Sequence, residues 1–79
     1  MSKRLSREKV FDVLRRKGTI RYYFGYNYLG ETIRVYDHNG EHVGHITKDL
    51  FAYLQDFYRL KEKYFCFLYE EFEVEGIRW

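Results

Sequence analysis

The sequence predicts a small α+β domain in which two helices pack on a mainly antiparallel sheet, in the order α-β-β-β-α-β. Two segments repeat apolar residues with the period of a helix, one after Ser6 and one after Thr47. The segments between them are rich in β-branched and aromatic residues, as strands are. A chain of 79 residues without proline or an evident linker has the size of one domain, so residues 1–79 are predicted to fold as a single domain.

The first predicted helix has signals at both ends. Ser6 is a suitable N-cap, and Leu5 before it can pack against Val10 as a hydrophobic staple. Gly18 is expected to end the helix, because glycine readily adopts the backbone conformation found at helix C-termini.

Three strands are predicted to follow, at 19–26, 32–37 and 41–46. Between the second and the third, Asp37, Asn39 and Gly40 fit a type I turn followed by a glycine bulge. Asn39 and Gly40 alone fit a two-residue type I′ turn. The two turns differ by one residue of register, so the sequence leaves open which strand faces pair.

The second predicted helix begins at Thr47, which can cap it, and its apolar period extends to Leu60. The segment "RLKEK", residues 59–63, is expected to be its exposed exit. The segment "YFCFLYEEFEVE", residues 64–75, is predicted to be one long final strand that is apolar on both faces in its first half. From Glu71 it alternates between acidic and apolar residues, as a strand with one solvated face does.

The net charge of +2 conceals an uneven distribution of charge along the chain. Residues 1–21 hold eight Lys and Arg against two acids, a net +6, whereas residues 22–79 hold six against ten, a net −4. A basic segment of this kind suits phosphate or another acidic surface. Arg15, Arg16 and Lys17 are therefore candidate phosphate contacts, although a solvated basic helix face whose cations complement the helix dipole is the alternative.

Aromatic residues make up 22% of the chain, which is more aromatic surface than a small core readily buries. The surplus predicts that some rings face a partner, either in a homodimer or as a surface on which bases stack. No apolar stretch approaches the length of a membrane span, so no membrane association is expected. The single cysteine, Cys66, cannot form an intramolecular disulfide, which favours a reducing compartment and a cytoplasmic location, in a host cell if the protein is viral.

Neither a metal site nor a catalytic site is predicted. His42 and His45 are three residues apart on a strand, so their side chains are expected to point to opposite faces. No second cysteine completes a zinc set. Ser2 and Ser6 are the only serines, and Cys66 has no obvious base. We therefore expect a protein that has no cofactor and no enzymatic activity.

The segment "RYYFGYNY", residues 21–28, places Arg21 among several tyrosines. Tyrosine beside cations is typical of proteins that bind single-stranded nucleic acid, since the rings stack on bases and the cations meet phosphates. The alternative is that these tyrosines only cover a small sheet, with alternate side chains packed inward.

Two stretches, "IRYYFG" and "TIRVYDHNGEHVGHITKDLFAYL", resemble the HIRAN domain over about residues 20–54. The resemblance implies an OB-like β-barrel that binds DNA, with the 3′ end of a single strand in a pocket. It implies that Arg21 and Tyr22 line this pocket and that Tyr28 stacks on the terminal base. The resemblance also implies that His45 and Lys48 contact phosphates.

The leading prediction is a small non-enzymatic module that binds nucleic acid, with single-stranded DNA favoured. General single-strand binding does not need the loop aspartate of the family, whose place Leu29 takes in this chain. The alternative is a viral or plasmid-encoded protein that binds or inhibits a host factor and that could act as a homodimer. The acidic residues Glu71, Glu73 and Glu75 would then form the working surface.

Overall fold

The structure is a computed structural model that describes residues 3–25 and 32–77. Two helices and five strands follow one another along the chain: α1 (Arg7–Arg15), β1 (Thr19–Tyr23), β2 (Thr32–Tyr36), β3 (His42–Ile46), α2 (Lys48–Phe57), β4 (Tyr58–Phe65) and β5 (Tyr69–Ile77). The predicted α+β class, with two helices and an antiparallel sheet, is confirmed. The structure adds one strand, so the order is α-β-β-β-α-β-β.

The five strands form one antiparallel sheet in the order β3-β2-β1-β5-β4, with β1 at its centre. The N-terminal segment extends the β3 edge through two backbone hydrogen bonds, from Leu5 N to His45 O at 2.9 Å and from His45 N to Lys3 O at 2.8 Å. Gly44 permits this approach, because a Cβ there would collide with the backbone oxygen of Lys3 and lie 2.7 Å from Leu5 Cγ. One edge of the sheet is thereby covered.

Both helices pack on the same face of the sheet. One apolar cluster joins α1 and α2 to alternate residues of the strands, and its fully buried members are Val10, Ile20, Val35 and Leu54. We call the sheet surface beneath the helices the helix face and the opposite surface the open face. Side chains alternate between the two faces along a strand, so Arg21 and Tyr23 lie opposite to Ile20 on β1.

The predicted helix caps are confirmed, with one difference at the end of α1. The side chains of Ser6 and Thr47 accept hydrogen bonds from the backbone N–H groups of Lys9 and Leu50, each at 3.2 Å. At the end of α1 the left-handed residue is Lys17, with φ of 67°, and not the glycine that follows it. Gly18 is buried, and a side chain does not fit there, because a Cβ would lie 2.6 Å from the backbone oxygen of Tyr36.

The turn between β2 and β3 is the first of the two alternatives, a type I turn followed by a glycine bulge. Gly40 N donates to Asp37 O at 3.0 Å, and Gly40 has φ of 83°. The Asp37 carboxylate also accepts from the backbone N–H groups of Asn39 and Glu41, each at 2.9 Å. The register is fixed by this turn and by a bulge in β3, which makes Tyr36 the partner of His42 and Val35 the partner of Gly44.

The predicted single final strand is wrong, because residues 58–77 form a hairpin of two strands. Helix α2 ends at Phe57, and the supposed helix exit, residues 59–63, belongs to β4. The chain turns between Phe65 and Tyr69, where Cys66 N donates to Tyr69 O at 3.0 Å. The alternating acidic and apolar residues that begin at Glu71 therefore lie on β5, which is flanked by β1 and β4. The "YFCFLY" segment is the tip of this hairpin and not part of a central strand.

Candidate nucleic-acid interface

One row of side chains crosses the open face at the middle of the sheet. Five of its members are consecutive cross-strand partners, and a parallel bridge adds a sixth from the N-terminal segment. In order across the sheet, this central row consists of Arg4, His45, Arg34, Arg21, Glu71 and Tyr64. Because partners in register share a face, the β3 half of the row carries three arginines and a histidine, and the β4 half carries one acid and one tyrosine.

Arg21 is held by contacts on several sides. Its Nε donates to Oε2 of Glu71 at 3.3 Å and its Nη1 donates to the Tyr23 hydroxyl at 3.4 Å. Its Cζ lies 4.2 Å from the centre of the Tyr36 ring and 4.9 Å from that of Tyr69. Burial acts to lower the pKa of Arg21, but the hydrogen bonds to Tyr23 and Glu71 and the Glu71 charge raise it on balance. Arg21 is therefore a fixed cation.

Arg34 lies directly opposite Arg21 on the neighbouring strand. Its guanidinium is stacked 5.0 Å from the centre of the Tyr23 ring, and its side chain hydrogen-bonds Tyr36. Like charges in directly opposed positions destabilise a sheet. Glu71 offsets this repulsion on one side only, since it binds Arg21 and lies one strand farther from Arg34. Two directly opposed arginines on an open sheet face are unfavourable for stability. Unfavourable arrangements of this kind are typical of functional surfaces.

Tyrosines frame the central row. The rings of Tyr23 and Tyr69 lie 4.9 Å apart, and Tyr64 continues the contact at 5.6 Å from Tyr69. On the other side of the row, the Tyr36 ring lies 5.3 Å from that of His42. Four tyrosines from four strands thus lie on the open face near Arg21 and Arg34, and an aromatic surface of this kind can stack on bases.

Two of these tyrosines share a hydrogen bond, and their pKa values are shifted in opposite directions. The hydroxyl oxygens of Tyr23 and Tyr36 lie 3.2 Å apart. Burial acts to raise the pKa of Tyr23, but its hydrogen bonds with Tyr36 and Arg21 lower it on balance. Burial and the hydrogen bond with Tyr23 raise the pKa of Tyr36. The pair ties β1 to β2 above the central row.

Arg21 and Tyr22 do not converge, because they lie on opposite faces of β1. The Tyr22 ring is on the helix face, 5.8 Å from that of Phe51 in α2. It belongs to the packing around the core, and Tyr23 takes its place on the open face. Tyr28 and Leu29, the two loop positions that the HIRAN resemblance concerns, lie outside the described residues.

His45 and Lys48 do come together. Both line a depression of about 200 Å³ at the start of β2 and the end of β3, beside Thr32 and Thr47. His45 belongs to the central row, so the depression adjoins the row at its β3 end. Lys48 is the exposed first residue of α2. A phosphate that contacts Arg34 would lie on the same side of the sheet as His45.

The basic residues at the end of α1 lie apart from the open face. Arg15 and Arg16 are each within 3.5 Å of Asp12 Oδ1, and their side chains are more than 70% exposed. Arg15 and Lys17 line a groove of about 810 Å³ between α1, the end of α2 and β5. Glu8 and Glu73 also line this groove, so its charges are mixed.

The prediction that His42 and His45 point to opposite faces is wrong. The bulge in β3 pairs His42 with Tyr36 and His45 with Arg34, whose side chains both lie on the open face. Within residues 3–25 and 32–77, no group of three or more His, Cys, Asp or Glu side chains is arranged to hold a metal ion. In the same part of the chain, neither helix is long and apolar enough to cross a membrane.

Sequence reasoning missed Arg4, Arg34, Tyr36, Tyr64 and Tyr69. Arg34 and Tyr36 alternate with Ile33 and Val35 on β2, and this alternation would have placed them opposite to the buried side chains. The sequence predicts Tyr69 in the middle of a strand at 64–75, whereas Tyr69 begins β5 after the hairpin turn. Only the parallel bridge to β3 brings Arg4 into the row, and nothing local to its sequence indicates that bridge.

Comparisons of the chain with protein-family models, with curated proteins and with solved structures gave no match. The interpretation of the open face therefore depends on its own geometry.

Proposed function

We propose that the protein is a small non-enzymatic module that binds single-stranded nucleic acid, with DNA favoured, across the open face of its sheet. The observation that carries the proposal is the central row, where three arginines and a histidine stand side by side among four tyrosines. A cationic track beside aromatic rings is the general arrangement of single-strand binding surfaces. The resemblance to the HIRAN domain implies the same class of ligand.

The members of the central row have different roles in this proposal. Arg21 is a positioning residue, because Glu71 neutralises it and the rings of Tyr36 and Tyr69 enclose its guanidinium. Arg34 and the exposed Arg4 meet phosphates, and His45 and Lys48 extend this contact past the end of β3. Tyr64, which is 51% exposed, offers its ring to a base.

Fluorescence anisotropy with a labelled single-stranded oligonucleotide over a series of salt concentrations tests the proposal. Binding should be measurable at low salt, and the logarithm of the association constant should fall linearly with the logarithm of salt concentration. Arg34→Gln should reduce the slope by about 0.7, the value for one lost phosphate contact on a single strand. Tyr64→Ala should weaken binding by about 1–3 kcal/mol, the usual contribution of one stacked base.

Matched controls come from the opposite side of the molecule. Lys9→Gln removes one exposed cation from α1, and Tyr53→Ala removes a partly exposed tyrosine from α2. Both should leave affinity and salt dependence close to those of the unchanged protein. The proposal would be contradicted if micromolar protein did not bind the oligonucleotide at low salt. It would also be contradicted if the control variants lost as much affinity as Arg34→Gln and Tyr64→Ala.

Binding to another protein is a second candidate, and one observation favours it. The tip of the β4–β5 hairpin exposes large apolar side chains, and Phe67 is 74% exposed. Exposed apolar patches mark interaction sites in soluble proteins. The acidic residues predicted as a working surface fit this candidate less well, since Glu71 is only 12% exposed and binds Arg21. Substitutions of Glu73 and Glu75 that weaken binding to a protein partner, together with substitutions of Arg34 that leave that binding unchanged, would favour this second candidate.

A further inference from the structure

The groove between α1, the end of α2 and β5 has the size of a ligand site, and we call it the α1 groove. Its volume of about 810 Å³ falls within the range of roughly 300–1,000 Å³ that is usual for small-molecule pockets. Much of its apolar lining is open, because Phe11 and Phe57 are only half-buried and Ile77 is 53% exposed. The full apolar lining consists of Phe11, Leu14, Phe57, Tyr58, Val74 and Ile77.

Charges are separated along the α1 groove. Glu8, Phe11 and Arg15 follow one another at intervals of three and four residues, so they share one side of the helix. Glu8 is therefore at one end of the groove and Arg15 at the other, about 10 Å away along the helix axis. Lys17 lines the groove two residues beyond Arg15. The groove thus has an acidic end at Glu8 and a basic end at Arg15 and Lys17.

The carboxylate of Glu73 does not belong to the basic end. Glu73 lines the groove from β5, where its neighbour Val74 packs against the core on the helix face. Because side chains alternate along a strand, that of Glu73 is directed to the open face, as are those of its partners Thr19 and Lys61. The positive charge of the basic end is therefore not neutralised from β5.

Lys17 is the less compensated of the two cations. Asp12 Oδ1 lies 3.5 Å from Arg15 Nη2 and 3.4 Å from Arg16 Nε, so one carboxylate is shared between two arginines. Among the residues that the structure describes, Lys17 forms no ion pair. A net positive charge therefore remains at the basic end of the groove.

Lys17 also occupies a strained backbone conformation. Its φ of 67° is in the left-handed region, which glycine adopts without strain and lysine does not. The helix dipole does not require a lysine here, since Arg15 and Arg16 already supply cations at the end of α1. Residues held in strained conformations cluster at functional sites. What lysine adds over glycine at this position is a charged side chain that lines the groove.

Tyr58 adds a hydroxyl group to the lining of the groove. Its ring packs 5.5 Å from that of Phe11 and 4.8 Å from that of Phe57. The charge of Arg15 acts to lower the pKa of Tyr58 against the stronger effect of burial, so the guanidinium and the phenol are near each other. The groove thus combines a guanidinium, an ammonium and a phenol with an apolar floor.

An amphipathic anion fits this arrangement better than other occupants do. A second copy related by a twofold axis would present the same concave surface and leave the groove unfilled. A nucleic-acid strand carries phosphates along its whole length, whereas the cations lie at one end of the groove and Glu8 at the other. A ligand with one anionic head and an apolar tail matches both the basic end and the open apolar lining.

We propose that the α1 groove binds a small amphipathic monocarboxylate, whose head contacts Lys17 and Arg15 and whose aliphatic or aromatic tail lies on the apolar lining between α1 and β5. One negative charge is specified, because Glu8 would repel a second charge at the far end of the groove. The inference goes beyond the proposed function and does not depend on it, since the groove lies apart from the open face.

Octanoate and octanol are the probes that test the inference, because they share an apolar tail and differ in charge. Each is titrated into the isotope-labelled full chain, and binding is followed by NMR. Octanoate should give saturable chemical-shift changes at Leu14, Lys17 and Ile77. Octanol should bind about tenfold more weakly, as expected when charge-assisted hydrogen bonds to the head are lost.

Substitutions at the end of α1 test the role of Lys17. Lys17→Gln should weaken octanoate binding about tenfold and leave octanol binding unchanged, whereas Lys17→Arg should retain octanoate affinity. The matched control is Arg16→Gln, which removes an exposed cation that does not line the groove and should leave octanoate affinity unchanged. Lys17→Gly should weaken octanoate binding although it stabilises the fold, a combination that a purely structural lysine would not produce.

Three results would overturn the inference. The first is the absence of saturable changes with octanoate, or equal losses of affinity in Lys17→Gln and Arg16→Gln. The second is equal affinity for octanol, because the basic end would then play no part in binding. The third is octanoate binding that occurs only in Trp79→Ala, which would assign the groove to the chain's own residues 78–79, next to Ile77 in the sequence.

Discussion

The Nε atom of Arg21 lies 3.3 Å from Oε2 of Glu71, so the cation at the centre of the sheet is already paired within the protein. This pair divides the open face into a basic half, toward β3, and a neutralised half, toward β4. Phosphate binding is therefore expected at Arg34 and Arg4 and not at Arg21, whose contribution is to hold the tyrosines in place.

Glu71→Gln should have opposite effects on stability and on binding. It removes the charge that pairs with Arg21 and weakens the hydrogen bond that Thr19 Oγ1 donates at 2.9 Å. The partly buried guanidinium then loses its counter-charge, and we expect a loss of about 1–3 kcal/mol in the free energy of unfolding. Because the open face becomes more positive, affinity for single-stranded DNA at low salt should rise. Urea denaturation and fluorescence anisotropy measure the two effects, and a fall in both would contradict the assignment.

Lys17→Gly should stabilise the protein. Lys17 is at the C-terminal turn of α1 with φ of 67°, a conformation that glycine adopts without strain. After allowance for the larger entropy of the unfolded glycine chain, a gain of about 0.5–1 kcal/mol in the free energy of unfolding is expected. The matched control is Arg16→Gly, since Arg16 has φ of −95° and gains nothing from glycine. Equal effects of the two substitutions on urea unfolding would show that the left-handed turn is not the cause.

Gly44→Ala should destabilise the N-terminal segment. The added methyl group would collide with Lys3 O and contact the buried Leu5 side chain. We expect a loss of about 1–3 kcal/mol in the free energy of unfolding, as for other overpacked sites. Amide hydrogen exchange should also become faster at Leu5, whose N–H donates to His45 O. In contrast, Gly76→Ala should have little steric effect, because a Cβ there meets nothing within 4 Å.

Stability should fall at alkaline pH. Burial raises the pKa of Tyr58, and it raises that of Tyr69 against the opposing charge of Arg21. The hydrogen-bonded pair of Tyr23 and Tyr36 has opposing effects, because the pKa of Tyr23 is lowered while that of Tyr36 is raised. Above the ordinary tyrosine pKa of about 10, the unfolded chain loses protons that the folded protein still holds, so the free energy of unfolding decreases as pH rises. Tyr58→Phe removes one such group and should reduce the decrease. Urea unfolding at a series of alkaline pH values measures it, and an identical pH dependence in the two proteins would contradict this cause.

The two helix starts could be predicted from the sequence, because each depends on a capping residue next to it in the chain. Ser6 and Thr47 cap helices because their side chains satisfy free N–H groups, and that requirement is local. The final hairpin could not be predicted in the same way. Residues 59–63 contain Leu, Lys and Glu, which favour helices, and the turn at residues 65–69 lacks the glycine, asparagine and aspartate that mark turns.

The candidate site was predicted only in part, for a related reason. Arg21 and Tyr22 are adjacent on a strand and so lie on opposite faces, but in a run of aromatic residues the sequence alone does not show which face is buried. Long-range pairing decides it, because Ile20 and Phe72 meet beneath the helices and leave Arg21 with Glu71 on the other side. The bulge in β3 likewise brings His42 and His45 to one face.

An NMR titration of the isotope-labelled protein with a short single-stranded DNA oligonucleotide at low salt tests the central claim most directly. The account predicts that the largest changes in amide and side-chain chemical shifts lie on the open face, at Arg34, His45 and Tyr64, and decrease as salt is added. Tyr22 on the helix face and Tyr53 on α2 should change little. Shifts confined to the end of α1 at Arg15, Arg16 and Lys17, or no shifts at all, would contradict the claim that the open face binds nucleic acid.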